Sequence, residues 1–166
     1  MLFRSVLCIT ILVIFAGGAD SARAELPRNL IQQGERFLTM GKYPAAMARY
    51  SKVLACCPGT IEASEAHNDM GVIHARQGNI DLAITEYAAA LREPVYPLAH
   101  FNLGKALADR FKENREEALR EKALFHLQTF RSYLSTAEKL PPIITCQRAE
   151  IEDYLATSIS FLSHPQ

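Results

Sequence analysis

The sequence predicts an all-α fold: a right-handed α-solenoid of about three helical hairpins plus a C-terminal capping helix. Three observations predict it. A spacing pattern occurs twice, with Gly34, Gly41, Ala46, Tyr50 and Leu54 set apart by the same four gaps as Gly71, Gly78, Ala83, Tyr87 and Leu91, at a shift of 37 residues. Apolar residues on either side of the second glycine of each series recur at helical rather than strand spacing. The composition is that of an ordinary globular domain, with 166 residues, 49% apolar and 22% charged. Lys and Arg number 18 against 18 Asp and Glu, a balance that argues against a nucleic-acid binder, which normally carries a basic excess.

Residues 1–24 read as a secretory signal peptide. Arg4 supplies the positive start, Val6 to Ala16 the apolar run, and Ala22-Arg23-Ala24 the small residues that precede cleavage. The run is far shorter than the roughly 20 apolar residues of a spanning helix, so no stable membrane anchor is expected after cleavage. Processing after Ala24 leaves a near-neutral chain from Glu25, periplasmic or secreted, with Cys56, Cys57 and Cys146 but without Cys8. Cys8 follows Leu7 and lies too early for a lipid-attachment cysteine.

The two repeated series each describe a helix, a turn and a second helix. Leu30, Phe37 and Leu38 precede the turn, and Ala46, Tyr50, Val53 and Leu54 follow it. Gly41 is placed to close the first helix in the left-handed conformation. Small Ala46 and Ala83 let the paired helices approach, and Pro58 and Pro94 stop the second helix of each unit. Neither hairpin can bury its apolar stripe alone, so the units must stack.

The Gly-x6-Gly-x4-Ala-x3-Tyr series together with Pro58 resembles the tetratricopeptide repeat. The resemblance places the first unit at about 27–60 and the second at about 64–97, with Ile61-Glu62-Ala63 as the excess that lengthens the period. A third unit at about 98–138 opens on Leu98 to Gly104, which lies 33 residues after Gly71. Its Ala-x3-Leu signature, Ala123 and Leu127, comes seven residues late, almost two helical turns. Longer helices absorb that excess in phase, with the turn at Lys112 to Arg115. After Pro141-Pro142, residues 142–163 read as one amphipathic helix, with Ile144, Ile151, Tyr154, Leu155, Ile159 and Leu162 on its apolar face. Such a helix covers the open end of the stack, as repeat arrays require. The repeat domain spans 25–166.

Candidate chemistry is sparse. His67, His74 and His100 fall in slots where other units place apolar residues, so they read as packing residues rather than metal ligands. His126 and His164 have no companion in sequence. Three cysteines leave one over after any pair, which keeps a disulfide-linked dimer open. Cys56, Cys57 and Cys146 are expected as partly buried thiols, since adjacent Cys56 and Cys57 would bridge only with backbone strain. Neither a nucleophile elbow nor a phosphate-cradling glycine loop occurs. Glu116-Glu117 and the Glu150, Glu152, Asp153 cluster read as solvated helix faces. The sequence therefore predicts no enzyme and no cofactor. A small metal- or redox-responsive protein using its histidines and cysteines is the alternative.

What remains is a surface. Residues three before, one after and four after the first glycine of each unit share a helix face: Ile31, Glu35 and Leu38; Asn68, Val72 and Ala75; Phe101, Lys105 and Ala108. The resemblance implies that this face lines a concave groove that binds a protein or peptide partner. Phe101, Asn68 and Lys105 are the expected anchors, with Asn102 one position off the row. Some family members hold a peptide carboxylate with Lys and Asn here. Ile31 and Glu35 depart from that pattern, and a mixed apolar and polar groove is expected instead.

Overall fold

The computed structural model describes residues 26–92 and 94–164. The expected signal peptide, Cys8 and the new N-terminus at Glu25 lie outside the described residues. Within them the fold is entirely helical: α1 (Pro27–Thr39), α2 (Tyr43–Cys56), α3 (Ile61–Arg76), α4 (Ile80–Ala89), α5 (Leu98–Asn114), α6 (Glu117–Thr136), α7 (Pro142–Cys146) and α8 (Arg148–Ser163). Helices α1 and α2, α3 and α4, and α5 and α6 pair as three hairpins. Each hairpin stacks on the next, and α8 packs on α6. No described helix is long and apolar enough to cross a membrane.

Local chemistry explains the turns. At the end of α1, Gly41 takes φ +70° and donates its N–H to the Leu38 carbonyl, while the Lys42 N–H reaches back to Phe37. This pair of bonds satisfies carbonyls left over at a helix terminus. The end of α3 repeats it with Gly78 at φ +80°, bonded to Ala75, and Asn79 bonded to His74. The third turn differs: Arg115 adopts φ 58° without being glycine, and its N–H bonds Phe111. The turn thus falls at the last residue of the expected Lys112–Arg115 segment, after the longer α5 has used the extra residues.

Helix crossings are close because the first glycine of each unit lacks a side chain. A Cβ on Gly34 would overlap the Tyr50 ring. On Gly71 it would lie 2.6 Å from Tyr87 ring carbons, and on Gly104 2.8 Å from Leu127. Ala46, Ala83 and Ala123, one turn earlier on the facing helices, are all fully buried. The late Ala123–Leu127 pair therefore occupies the slot of Ala46–Tyr50, and the extra helix length kept the register in phase.

The stack is joined by polar contacts as well as apolar ones. Arg28 on α1 reaches Glu65 at 2.5 Å and Glu62 at 3.2 Å on α3. Thr60 caps α3 by accepting from the Ala63 N–H, and the Ser64 hydroxyl donates to the Pro94 carbonyl. At the far end Ile151, Leu155, Ile159 and Leu162 of α8 are buried, and Arg120 of α6 donates to the Leu162 carbonyl. The expected single helix over 142–163 is in fact two. The backbone at Gln147, φ −109° and ψ 14°, leaves helical geometry and separates α7 from α8. The break lets Ile144 turn inward to 1% exposure.

Candidate functional site

A concave groove of about 530 Å³ runs across the first helices of all three hairpins. Helix α1 contributes Glu35, Leu38 and Thr39; α3 contributes Asn68, Asp69, Val72 and Arg76; α5 contributes Leu98, Phe101, Asn102 and Lys105. Ile143 and Ile144 of α7, the junction residue Gln147 and Ile151 of α8 form its C-terminal wall. Its volume and its mixture of apolar and polar groups are those of a binding cleft.

Seven of the eight expected partner-binding residues, Glu35, Leu38, Asn68, Val72, Phe101, Asn102 and Lys105, line this groove. Ile31 does not. It is wholly buried in the apolar cluster that contains Ala66, Met70 and Ile73 of α3. The physical reason is a row effect. The residue three before each glycine points at the first helix of the next hairpin rather than into the open groove. Asn68, in the same row, is 1% exposed and bonded to Asn102 on α5. Phe101 packs edge-on against Tyr154 of α8 and beside Phe130.

Two expected anchors are therefore corrected. Phe101 is not a bare aromatic awaiting a partner; it is half-buried and joined to the core, with only part of the ring at the groove. Asn68 is not an open anchor: it is 1% exposed, Asn102 Nδ2 donates to its Oδ1 at 2.8 Å and its own Nδ2 donates to Asp69 Oδ1 at 3.2 Å. Replacing both residues by alanine would damage the stack itself. Of the remaining row, Ala108 is buried and Ala75 packs against the core. The row one after the glycine stays open: Glu35 and Lys105 are exposed and Val72 is half-buried. Lys105 Nζ sits 5.4 Å above the Tyr154 ring.

Asp69 is the group that sequence reasoning missed. Burial pushes its carboxyl up to about 7, against donation from the Tyr50 and Asn68 side, and Glu65 and Glu35 add to the rise. Tyr50 lies behind it, fully buried, with its hydroxyl in no hydrogen bond of good geometry. Burial and the Asp69 charge raise the Tyr50 phenol too. Glu65 is also raised, mainly by burial, although the Arg28 ion pair opposes it. The only sequence signal for Asp69 is its position two before Gly71, the position Asn102 holds before Gly104.

The histidines and cysteines resolve into separate places. His67 pairs with Glu86 at 2.7 Å across the second hairpin. His100 and His126 meet Nδ1 to Nδ1 at 2.9 Å between α5 and α6, so His126 does have a companion. Burial lowers both, His126 to about 4 with His100 as a further cause. Cys56 and Cys57 are joined by a disulfide rather than present as thiols, a correction. Cys57 is the cap of α2 and its backbone, φ −141°, has left the helix, which lets adjacent sulfurs meet. Cys146 is a free cysteine and exposed, not partly buried. Among the described residues no three or more His, Cys, Asp or Glu side chains converge as a metal ion would need.

Residues 31–93 and 68–124 match the family model of the tetratricopeptide repeat, together more than half of the chain. No curated protein matches it. Proteins of this family generally mediate protein–protein interaction and are typically non-catalytic scaffolds.

Proposed function

Because this chain belongs to the tetratricopeptide repeat family, we propose that it is an exported, non-catalytic adaptor that holds a protein or peptide partner in its concave groove. One observation carries the reading. The groove draws on all three hairpins and the C-terminal helices, and it combines apolar Leu38, Val72 and Leu98 with charged side chains that form no ion pair among the described residues, Glu35 and Lys105. Some charged side chains outside the groove are neutralised locally, as in Arg110 with Asp81 and Arg148 with Glu152. An open, uncommitted mixture of this kind is what a partner surface offers.

Export is supported by the residues 1–24 pattern and by the Cys56–Cys57 bridge, which suits an oxidising compartment. The periplasm or the exterior is the proposed location, and exposed Cys146 leaves a disulfide-linked dimer open. Val72→Arg places a bulky charge in the groove at a half-buried position beside the core, so folding is checked together with binding. Capture of partners from an envelope fraction should fall at least tenfold, with circular dichroism and melting close to wild type. Undiminished capture by a folded Val72→Arg variant would move the binding surface elsewhere. Mass spectrometry of the exported protein should find Glu25 first; an intact Met1 would overturn the processing step.

A further inference from the structure

The fold's own architecture leaves one groove-lining carboxylate unexplained. The neighbouring acid Glu65 has a counter-ion, Arg28, which also serves Glu62. Among the described residues no lysine or arginine pairs with Asp69 or with Glu35, although both line the groove. Asp69 takes one N–H, from Asn68, at 3.2 Å, and the buried Tyr50 hydroxyl also faces its carboxyl as a donor. The Asn68 amide is held in place because Asn102 donates to its oxygen. A carboxylate accepts about four hydrogen bonds, and neither of these donors carries a charge, so part of its capacity and all of its charge stay uncompensated. An ion taken out of bulk water with so few partners is costly unless an opposite charge arrives.

The groove also carries positive charge. Lys105 on α5 and Arg76 on α3 line it, and neither forms an ion pair among the described residues. Val72 and Phe101 supply apolar surface in the same lining. The lining is therefore mixed in charge, with Glu35 and Asp69 acidic and Arg76 and Lys105 basic.

From this pattern we infer that the groove takes a peptide bearing a single lysine or arginine, whose cation seats against Asp69 and Glu35 while apolar neighbours cover Val72 and Phe101. This rests on the reading of the groove as the partner surface and gives that surface its chemical preference. A polybasic segment is disfavoured, because its further charges would meet Lys105 and Arg76. Binding strengthens as Asp69 loses its proton. The groups facing it are Glu35 from α1, Tyr50 from α2, Glu65 and Asn68 within α3, Tyr87 from α4, and Tyr96 between α4 and α5. Of these the two glutamates act with Asp69 on an incoming cation.

Carbon-13 NMR of the Asp69 carboxyl in the purified protein tests the assignment, with n-butylguanidinium chloride, n-butylammonium chloride and sodium butyrate as probes at matched ionic strength. Both cations should lower the Asp69 midpoint by about one unit at saturation and shift the Val72 methyl signals; butyrate should do neither. Asp69→Asn should fold and lose the cation-induced methyl shifts. The inference is overturned if butyrate or potassium chloride acts as the organic cations do, if none of them moves Asp69, or if Asp69→Asn keeps the response. Should Val72→Arg abolish partner capture while the cations leave Asp69 unmoved, the groove stands as the binding surface and only its preference for a cation falls.

Discussion

Replacing Asp69 by Asn should make the protein more stable above neutral pH, and the size of the gain can be worked from the structure. The carboxyl titrates at about 7 in the fold against 3.8 for the unperturbed group. Between those two values the folded chain holds a proton that the unfolded chain has released, so stability falls as pH rises through the window. The full difference corresponds to about 4 kcal/mol. The groove admits water to the carboxylate, which brings the effect to about 2–4 kcal/mol. Asn cannot ionise, yet its amide oxygen still accepts from Asn68 in the place of Oδ1. The variant and wild type should therefore be alike at pH 4 and diverge up to pH 8, where the variant melts roughly 6–12 °C higher. Urea unfolding at several pH values, read as the difference between the two proteins, cancels every other titrating group. A difference that stays constant with pH, or a variant less stable at pH 8, would refute the placement of Asp69 in a poorly solvated, uncompensated site.

Two further outcomes follow from the packing. Gly71→Ala should destabilise by about 1–3 kcal/mol although alanine is the better helix former, because its Cβ would lie 2.6 Å from the buried Tyr87 ring. Adding Tyr87→Ala should cost less than the two single changes summed, and a strictly additive double-mutant cycle would sink that contact. His126 is held neutral down to about 4, so the unfolded chain takes up its proton first and stability falls as pH drops from 6.5. His126→Asn should flatten this acid limb by about 1–3 kcal/mol, measured by thermal melts between pH 4 and 7; an unchanged slope would refute the buried His100–His126 contact.

The architecture was legible because it depends on near neighbours in sequence. Period, turn residue and helix stop lie within one unit, and repetition of Gly34 to Leu54 as Gly71 to Leu91 exposes them. The late Ala123–Leu127 pair could be placed for the same reason: a helix lengthened by whole turns presents the same face. The reason for the first glycine was less visible, since the ring it admits belongs to the opposite helix of the hairpin.

Sequence by itself therefore determined the six helices of the hairpins, their pairing and the face of each hairpin that lines the groove. Only the tertiary structure decided which residues on that face stay open. Helical period assigns Ile31, Asn68 and Phe101 to one row, but stacking turns that row toward the following unit, where Ile31 meets α3, Asn68 meets Asn102 and Phe101 meets Tyr154. The amide ladder ending at Asp69, the His100–His126 contact and the break at Gln147 likewise arise between segments far apart in the chain or from local backbone geometry. A helix's own sequence fixes the direction of each side chain about its axis. How much of that direction remains solvent is set by the neighbour stacked against it.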